Sequence, residues 1–301
     1  RDQEYLASPR LFPSAEEMAA IHSSRDLLIA AERVFKLLES EEVTKNTGTF
    51  APARFRGQVS FENVDFEYVE DTPILKNVSF NIEPGQTLAI VGSTGSGKTT
   101  IISILNRFYE IKNGRVRVDG VELREHDLFN LRRRIAVVLQ DVFLFSGTVL
   151  ENITLRDTSI PREKAVEAAK MIGAHEFIER LPGGYDYQVQ ERGATLSMGQ
   201  RQLISFVRAL VFEPDILILD EATSSIDPET EGVIQFAIEK LIDRRTSIII
   251  AHRLSTIRHA SKILVMQRGE AIEFGPHEQL MALPNGRYRE LYEMQFLQVE
   301  G

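Results

Sequence analysis

The sequence lacks cysteine and has too few basic residues for a nucleic-acid surface. Without cysteine there is neither a disulfide framework nor a cysteine metal site. Acidic residues outnumber basic ones by 44 to 35, and the net charge of −9 argues against binding to nucleic acid. The six histidines have no ligand-like spacing. No stretch reaches the roughly 18 apolar residues of a membrane span, and no charged-then-apolar start indicates a signal peptide.

What remains is the composition of an ordinary globular protein. The chain has 301 residues, 43% of them hydrophobic, which is enough for one large domain or two small ones. It begins at Arg1 rather than at methionine, so we expect it to be a piece of a longer protein.

The N-terminal region is predicted to hold one helix and a linker. Apolar residues recur at three- and four-residue steps over 16–39, which predicts a helix. This helix either packs on its own domain or is the end of a helix from a domain that is not part of the chain. Residues 40–57 are polar and contain glycine and proline, which is typical of a linker.

The rest of the chain alternates between predicted strands and predicted helices. Residues 58–68 and 74–83 have apolar side chains at alternate positions, as in antiparallel strands with one covered face. Four runs are almost continuously apolar, as in parallel strands buried on both faces: "TLAIVG", "RIAVVLQ", "ILILD" and "TSIIIAH". Helices are predicted at 98–109, 161–180, 197–212 and 228–242, so we expect an α/β core with a mostly parallel sheet.

The segment "GSTGSGKT", residues 92–99, matches the phosphate-loop pattern G-x-x-x-x-G-K-[ST] in full. It follows a buried strand and precedes a helix, which is the context that the pattern requires. Glycines allow the backbone N–H groups to wrap around a phosphate, and the helix N-terminus adds partial positive charge. Lys98 can then reach the β- and γ-phosphate oxygens, and the Thr99 hydroxyl can bind Mg²⁺.

Polar side chains at the ends of other predicted strands extend this site. Asp220 ends "ILILD" and fits a role in holding Mg²⁺, and Glu221 follows it as a candidate base for an attacking water. Gln140 and His252 end two further strands and suggest sensors of the γ-phosphate and of water. Tyr68 can stack its ring on an adenine base. The alternatives are a helix N-cap for the acidic pair, capping roles for Gln140 and His252, and strand packing for Tyr68.

Taken together, these motifs resemble the nucleotide-binding domain of an ATP-binding cassette (ABC) transporter. "GSTGSGKT", "LQD", "LSMGQRQ", "ILILDEATSSID" and "AHR" occur in the order of that family, and the resemblance covers about 57–301. It implies a P-loop NTPase (RecA-like) core with a mostly parallel sheet and an N-terminal antiparallel β subdomain. It also implies an α-helical signature subdomain at about 141–210.

The resemblance assigns "LSMGQ", residues 196–200, as the ABC signature. In that family two domains pack head to tail with ATP between them, and the signature of one faces the phosphate loop of the other. Ser197 and the backbone N–H of Gly199 would then face the partner's γ-phosphate from a helix N-terminus. Met198 stands where the family usually has glycine, and we interpret it as tolerated because its side chain can point away from the nucleotide. "SSID" would be the D-loop, which places Asp227 at the dimer interface, with Ser225 and Ile226 as mild departures.

The resemblance implies ATP and Mg²⁺ as cofactors. The implied catalytic residues are Glu221, His252 and Gln140, and the implied metal ligands are Thr99, Gln140 and Asp220. The implied nucleotide contacts are Tyr68, Gly92, Ser93, Thr94, Gly95, Ser96, Gly97, Lys98, Thr99, Thr100, Ser197, Gly199, Gln200 and Asp227.

Three segments resemble export-type half-transporters in particular: "FLFSGTVLENI" (143–153), "QERG" (190–193) and "IAAERVFKLLES" (29–40). In those proteins the first two contact the coupling helices of the membrane domain. The third resembles the cytosolic end of the last membrane helix. The resemblance therefore implies that 1–56 is a lead-in from a missing membrane domain, and that 57–301 is the ATPase domain at the cytoplasmic face of the membrane.

The sequence thus predicts a Mg²⁺-dependent ATPase that powers export. Its expected partners are a second ATPase domain, identical or related, and the transmembrane domain, with no nucleic acid. One alternative is a soluble ABC ATPase that acts on nucleic acid or ribosomes. The acidic balance, and the lack of a long coiled-coil insertion between Gln140 and Ser197, argue against it. The other alternative is a stand-alone importer subunit, which usually has no helical lead-in like 1–56.

Overall fold

The computed structural model describes residues 44–220, 228–243, 245–251 and 257–296 of the chain. Both kinds of strand that the apolar patterns predict are present. In chain order the strands are β1 (Val59–Val69), β2 (Thr72–Ile82), β3 (Thr87–Val91), β4 (Asn113–Val118), β5 (Val121–Glu122), β6 (Ile135–Val138), β7 (Gly147–Thr148), β8 (Gln188–Val189), β9 (Ile216–Asp220), β10 (Thr246–Ile250), β11 (Lys262–Gln267) and β12 (Glu270–Gly275).

The larger sheet is mostly parallel, as predicted. Its order among the described strands is β12-β11-β3-β10-β9-β6. All neighbours are parallel except β12, which runs antiparallel to β11 at one edge. The four continuously apolar runs of the sequence therefore occupy adjacent positions in one sheet.

Successive residues of these strands enter two different apolar clusters. Leu88 and Ile90 of β3 pack with side chains of the antiparallel sheet, such as Phe61. Ala89 and Val91 point the other way and pack with side chains of the helices. Because side chains alternate between the faces of a sheet, a strand that is covered on both faces must be apolar at every position. Each large side chain buried in this way contributes about 1.5–3 kcal/mol of stabilisation.

The smaller sheet is antiparallel, with the order β2-β1-β4-β5. In β1 the buried positions alternate over its first residues, which confirms the predicted covered face. Val59 pairs with Ile82 on one side and with Val118 on the other. On the covered face Phe61 stacks on Phe80, with ring centroids 4.5 Å apart.

The described helices follow β3 in the chain and lie between later strands or after the last one. They are α1 (Lys98–Leu105), α2 (Leu128–Arg134), α3 (Val149–Thr154), α4 (Arg162–Met171), α5 (His175–Glu179), α6 (Met198–Val211), α7 (Pro228–Ile242), α8 (His277–Met281) and α9 (Arg287–Phe296). The region predicted as the helical subdomain, 141–210, contains α3, α4, α5 and most of α6, together with the short pair β7-β8.

Two predicted helices are shorter in the structure. The helix predicted at 98–109 ends at Leu105, because the Asn106 side chain caps Ile102 O and Arg107 takes a left-handed conformation. The helix predicted at 161–180 is interrupted after Met171. There Gly173 has φ +74, and Ala174 N donates to Ala169 O, which is the Schellman way of ending a helix.

Residues 46–56, here called the strap, pack on the rest of the described chain although the sequence places them in a linker. The backbone N–H groups of Thr49 and Phe50 donate to Glu125 O at 3.0 and 2.9 Å. Phe55 is 6% exposed and joins the core, and its N–H donates to Asp215 Oδ2 at 2.9 Å. The strap therefore belongs to the same compact unit as the described residues that follow it, and this unit begins at Asn46.

None of the helices among the described residues combines the length and the apolar character needed to span a membrane. The predicted helix at 16–39 lies outside the described residues.

We predict that two truncations differ in stability. Removing residues 1–45 should change the thermal midpoint by no more than about 2 °C, because it leaves the strap in place. Removing residues 1–56 also removes the buried Phe55 and two partners of the Asp215 carboxylate, Phe55 N and Arg54 Nε. Loss of a buried phenylalanine costs about 3–5 kcal/mol, so the midpoint should fall by at least about 6 °C. Differential scanning calorimetry of the two shortened chains measures the difference.

Phe55→Ala in the full chain is the matched control and should reproduce most of the larger loss. Equal midpoints for the two truncations would mean that the strap contributes no stability. A large loss on removing 1–45 alone would mean that the lead-in belongs to the core of this domain.

Candidate functional site

The carboxyl ends of the parallel strands lie at one edge of the larger sheet. Ile250 of β10 pairs with Ile90 of β3 on one side and with Asp220 of β9 on the other. Since neighbouring strands are about 4.8 Å apart, Asp220 lies about 10 Å across the sheet from Ile90. The loop after β3 begins at Gly92. Parallel pairing therefore brings together the phosphate-loop segment and the carboxylate that the sequence separates by more than a hundred residues.

Glycine is required in the loop between β3 and α1 by backbone conformation and by close contact. Gly92, Gly95 and Gly97 all have positive φ. A Cβ added to Gly92 would lie 2.2 Å from Met266 O, which is a backbone atom of β11. A Cβ on Gly95 would meet nothing within 4 Å. The loop is thus pressed against the sheet at Gly92 and open at Gly95.

The start of α1 offers unpaired donors. Gly97 is its N-cap residue and provides no side-chain hydrogen bond, so the first N–H groups of the helix are not capped by it. Ser96 is 2% exposed, and its Oγ has no hydrogen-bond partner among the described residues. Buried polar atoms nearly always have a partner. An anion with several acceptor oxygens, such as a phosphate, fits this arrangement.

Lys98 lies over the loop that precedes it. Its Nζ donates to Gly92 O at 2.8 Å and to Ser93 O at 2.9 Å. Partial burial lowers the pKa of the Lys98 ammonium, and the charge of Asp220 opposes that shift. The ammonium is therefore held at the loop, within electrostatic reach of the carboxylate that ends β9.

Tyr68 lies beside the same helix. Its hydroxyl donates to Thr100 Oγ1 at 3.2 Å, and its side chain is 47% exposed. Its ring packs edge to face with the rings of Phe66 and Tyr109, with centroids 4.8 and 4.9 Å apart. A half-exposed aromatic ring is therefore held next to the phosphate loop.

Tyr109 is absent from the sequence prediction. It follows the irregular turn after α1, and only the fold brings its ring against that of Tyr68. A search for aromatic residues near the end of the phosphate-loop helix would have found it.

Two candidate metal ligands are in reach of solvent at this edge. Thr99 is exposed on the first turn of α1, and Asp220 is half-buried. The described residues contain no cluster of three or more His, Asp or Glu side chains that could hold a metal. Mg²⁺ typically keeps several waters and uses one or two protein oxygens, so a hydroxyl and a carboxylate suit it.

Gln140 does not end a strand. β6 ends at Val138, and Gln140 lies two residues later, exposed, in a bend of the chain. Glu221, Asp227 and His252, which the sequence predicts as base, interface residue and sensor, lie outside the described residues.

The predicted signature segment forms the start of α6. Ser197 is the N-cap residue, and its Oγ accepts from Gln200 N at 3.2 Å. Gln200 Oε1 accepts in turn from Ser197 N at 3.0 Å, which completes a capping box. Met198 is 43% exposed and Gly199 is buried. Two of the predicted nucleotide contacts, Ser197 and Gln200, therefore already stabilise the helix end on which they lie.

Comparisons with known proteins agree on one family. A family model described as "ABC transporter" matches residues 75–224. A probable multidrug resistance ABC transporter ATP-binding/permease protein of Bacillus subtilis is 48% identical over 267 residues, which are 89% of this chain and 39% of that protein. An ATP-dependent lipid A-core flippase of Legionella pneumophila is 45% identical over 268 residues, covering 89% of this chain and 45% of the flippase.

A solved structure has the same fold. The structure of a bacterial Atm1-family ABC exporter with ATP bound superimposes with a TM-score of 0.80 and 38% sequence identity, over 90% of this chain and 48% of that one. The chain thus spans less than half the length of these relatives. The P-loop NTPase fold of an ABC ATPase domain, predicted from the sequence, is confirmed.

We predict that two glycine substitutions in the loop have unequal costs. Gly95→Ala places a Cβ in open space at φ +78 and should cost about 1–2 kcal/mol of left-handed strain. Gly92→Ala adds a Cβ that clashes with Met266 O and should cost several kcal/mol more, on the order of an overpacked core. Urea denaturation of both variants compares the free energies of unfolding. Equal losses would contradict the close contact with β11.

Proposed function

The chain belongs to the ABC transporter family, and from this membership we propose that it is the ATP-binding and ATP-hydrolysing domain of an exporter. One observation carries the proposal. The glycine loop, the uncapped start of α1, Lys98 and Asp220 meet at one edge of the parallel sheet. In open α/β sheets, ligands bind at this edge.

ATP would be held by the backbone of 92–97 and by the start of α1. The unpartnered Ser96 Oγ and the backbone N–H groups would donate to phosphate oxygens. Lys98 would exchange its two carbonyl acceptors for phosphate oxygens, which are charged and therefore better acceptors. The exposed ring of Tyr68 would stack on the adenine.

Hydrolysis would use residues at neighbouring strand ends. Mg²⁺, when bound, would neutralise charge that develops on the phosphates. Thr99 and Asp220 would hold the ion, with Gln140 as a further ligand. Glu221 would accept a proton from the attacking water, and His252 and Gln140 would orient the water and the γ-phosphate. Most of the catalytic effect would come from positioning and charge stabilisation.

A second ATPase domain would complete each site. Ser197, Gly199 and Gln200 lie at the start of α6, where backbone N–H groups favour an anion. They would contact the γ-phosphate bound by the partner domain, and Asp227 would lie at the same interface. Met198 is exposed, and it takes no part in the capping box. This supports our interpretation that methionine is tolerated there.

The membrane domain would be the other partner. One relative of the chain is named an ATP-binding/permease protein and another a lipid A-core flippase, and the chain matches less than half of each. We therefore place the domain at the cytoplasmic face of a membrane, where ATP-driven association and separation of two domains would move the membrane helices. Similarity to these proteins favours export over the action of a soluble ABC ATPase on nucleic acid and over a stand-alone importer subunit.

We predict that Lys98→Ala and Glu221→Gln separate ATP binding from hydrolysis. Lys98→Ala removes a charged phosphate contact and should weaken Mg²⁺-ATP binding by at least about tenfold, about 1.4 kcal/mol. Glu221→Gln preserves shape and removes the base, so it should bind ATP normally and lose at least about a hundredfold in turnover. Titration calorimetry and phosphate release measure the two effects.

Lys112→Ala is the control, since Lys112 pairs with Glu67 on the surface and takes no part in the loop. It should leave both quantities unchanged. Unaltered affinity in Lys98→Ala would remove that lysine from the site, and near-normal turnover in Glu221→Gln would mean that another group is the base.

We predict that the signature acts on the nucleotide of the partner domain. One chain carries Ser197→Asp, which keeps an N-cap acceptor for Gln200 N and adds a charge that repels phosphate. The other carries Lys98→Ala and keeps Ser197. A mixed dimer then has one intact site, made from Lys98 of the first chain and Ser197 of the second. Both chains also carry Glu221→Gln, so that ATP is retained.

The measurement is labelled ATP retained by the mixture compared with each chain alone. We expect the mixture to retain clearly more than the sum of the two. Retention equal to that sum would indicate that the loop and the signature act within one chain.

A further inference from the structure

Helix α6 carries a half-buried arginine at the end opposite to Ser197. Arg208 lies 11 residues after Ser197, which is about 16 Å along a helix. Its described partners are all neutral oxygens. Nε donates to Asn152 O at 2.8 Å, Nη1 to Phe143 O at 3.1 Å and Nη2 to Asn152 Oδ1 at 3.2 Å. Burial lowers the pKa of the guanidinium, which nevertheless stays charged at neutral pH.

Asn152, in α3, organises the loop that Arg208 contacts. Asn152 is 1% exposed. Its Nδ2 donates to Phe145 O at 2.8 Å and to Thr148 O at 3.1 Å, and its Oδ1 accepts from Phe145 N at 2.8 Å. One side-chain amide thus fixes the backbone of 145–148. We refer to Arg208 and Asn152 together as the clamp.

The clamp determines how two aromatic side chains are displayed. Phe143 and Phe145 are 49% and 54% exposed, and their rings pack edge to face with centroids 5.1 Å apart. Phe145 also lines a groove of about 390 Å³, together with Asn152 and Leu155. Gln140, a proposed contact of the γ-phosphate, is only three residues before Phe143.

We propose that Arg208 is a positioning residue that joins α6 to residues 143–148, here called the aromatic loop, so that a displacement of α6 on ATP binding moves Phe143 and Phe145. The inference rests on the proposed function, which places ATP at the start of α6. α6 is a regular helix of 14 residues, with most of its residues buried. If Ser197 is displaced, Arg208 is therefore displaced with it, because the helix moves as one body. There the guanidinium donates to the carbonyl group of Phe143 and to that of Asn152, so it contacts the chain before and after Phe145.

Breaking the hydrogen bonds of Arg208 to Phe143 and Asn152 costs free energy. The half-buried guanidinium makes three hydrogen bonds to this segment, and a hydrogen bond from a charged donor is stronger than one between neutral groups. The loop therefore follows α6 rather than detaching from it. Arg156 is a useful contrast, because its Nη2 also donates to a carbonyl of this loop, Ser146 O at 3.1 Å. Arg156 follows α3, however, and forms no part of α6.

A single tryptophan can report on the loop. The chain contains no tryptophan, and the contacts of Phe145 with Asn152 use only backbone atoms, so Phe145→Trp leaves the clamp intact. In a Glu221→Gln background, Mg²⁺-ATP should change the emission of this tryptophan. Adding Arg208→Met removes the donors and preserves the length, and the ATP-induced change should fall at least about threefold. ATP affinity, measured by calorimetry, should change much less.

Three further variants keep the result interpretable. Arg156→Met should retain the ATP response, because it loosens the loop without detaching it from α6. Arg208→Lys should restore part of the response. Asn152→Asp, which removes the donor to Phe145 O, should reduce the response even if Arg208→Met fails to fold.

Two outcomes would overturn the proposal while ATP still binds. One is a tryptophan that does not respond to ATP in the Phe145→Trp chain. The other is an equal response with and without Arg208. Absence of ATP binding in the Phe145→Trp chain would instead refute the proposed function.

Discussion

The parallel pairing of β10 with β3 and β9 is the constraint on which the rest of the site depends. It aligns Ile250 with Ile90 and with Asp220, so that three strand ends stop at the same edge. The pairing is stable because all three strands are buried on both faces, which leaves backbone hydrogen bonds shielded from water. Every functional position at this edge takes its place from that alignment. A slip of one residue between β10 and either neighbour would shift Lys98 relative to Asp220 by about 3.3 Å.

The glycine loop is shaped by the sheet as well as by its own sequence. Met266 O of β11 lies directly against Gly92, and Gly269 N donates to Ser96 O. β11, which pairs with β3, therefore supports the loop through these contacts. The first N–H groups of α1 have no carbonyl partner within the helix. Within the loop, Gly92 O and Ser93 O accept from Lys98, and Ser93 O also accepts from Ser96 N. A negatively charged ligand with several oxygen atoms is a stronger hydrogen-bond acceptor for the donors at the start of α1 than water is.

Sequence patterns predicted those strands and loops whose conformation depends on residues close together in the chain. Continuous apolar runs located β3, β6, β9 and β10, and the contiguous residues 92–99 located the phosphate loop. β4 alternates arginine with valine over 115–118, so the alternation used for β1 and β2 also indicates this strand, although its pairing with β1 is not evident from the sequence. β11 has an apolar run at 263–266 and was within reach of the same reasoning. The break after Met171 depends on a left-handed glycine, and glycine within a helical pattern is compatible with both outcomes.

The contacts that the sequence does not predict are of one kind, in which a single polar side chain bonds several backbone groups of an irregular segment. Asp119 accepts from the N–H groups of Arg56, Gly57 and Gln58 at 2.7, 3.0 and 2.9 Å, and thereby anchors the strap where it enters β1. Asn152 does the same for the aromatic loop, with both of its side-chain atoms. Irregular segments lack the regular backbone partners of helices and strands, so one polar side chain must satisfy several groups at once. Removing such a side chain leaves all of them unpaired together. The loss is therefore cooperative, and the shape of a functional loop can depend on a residue that never touches its ligand.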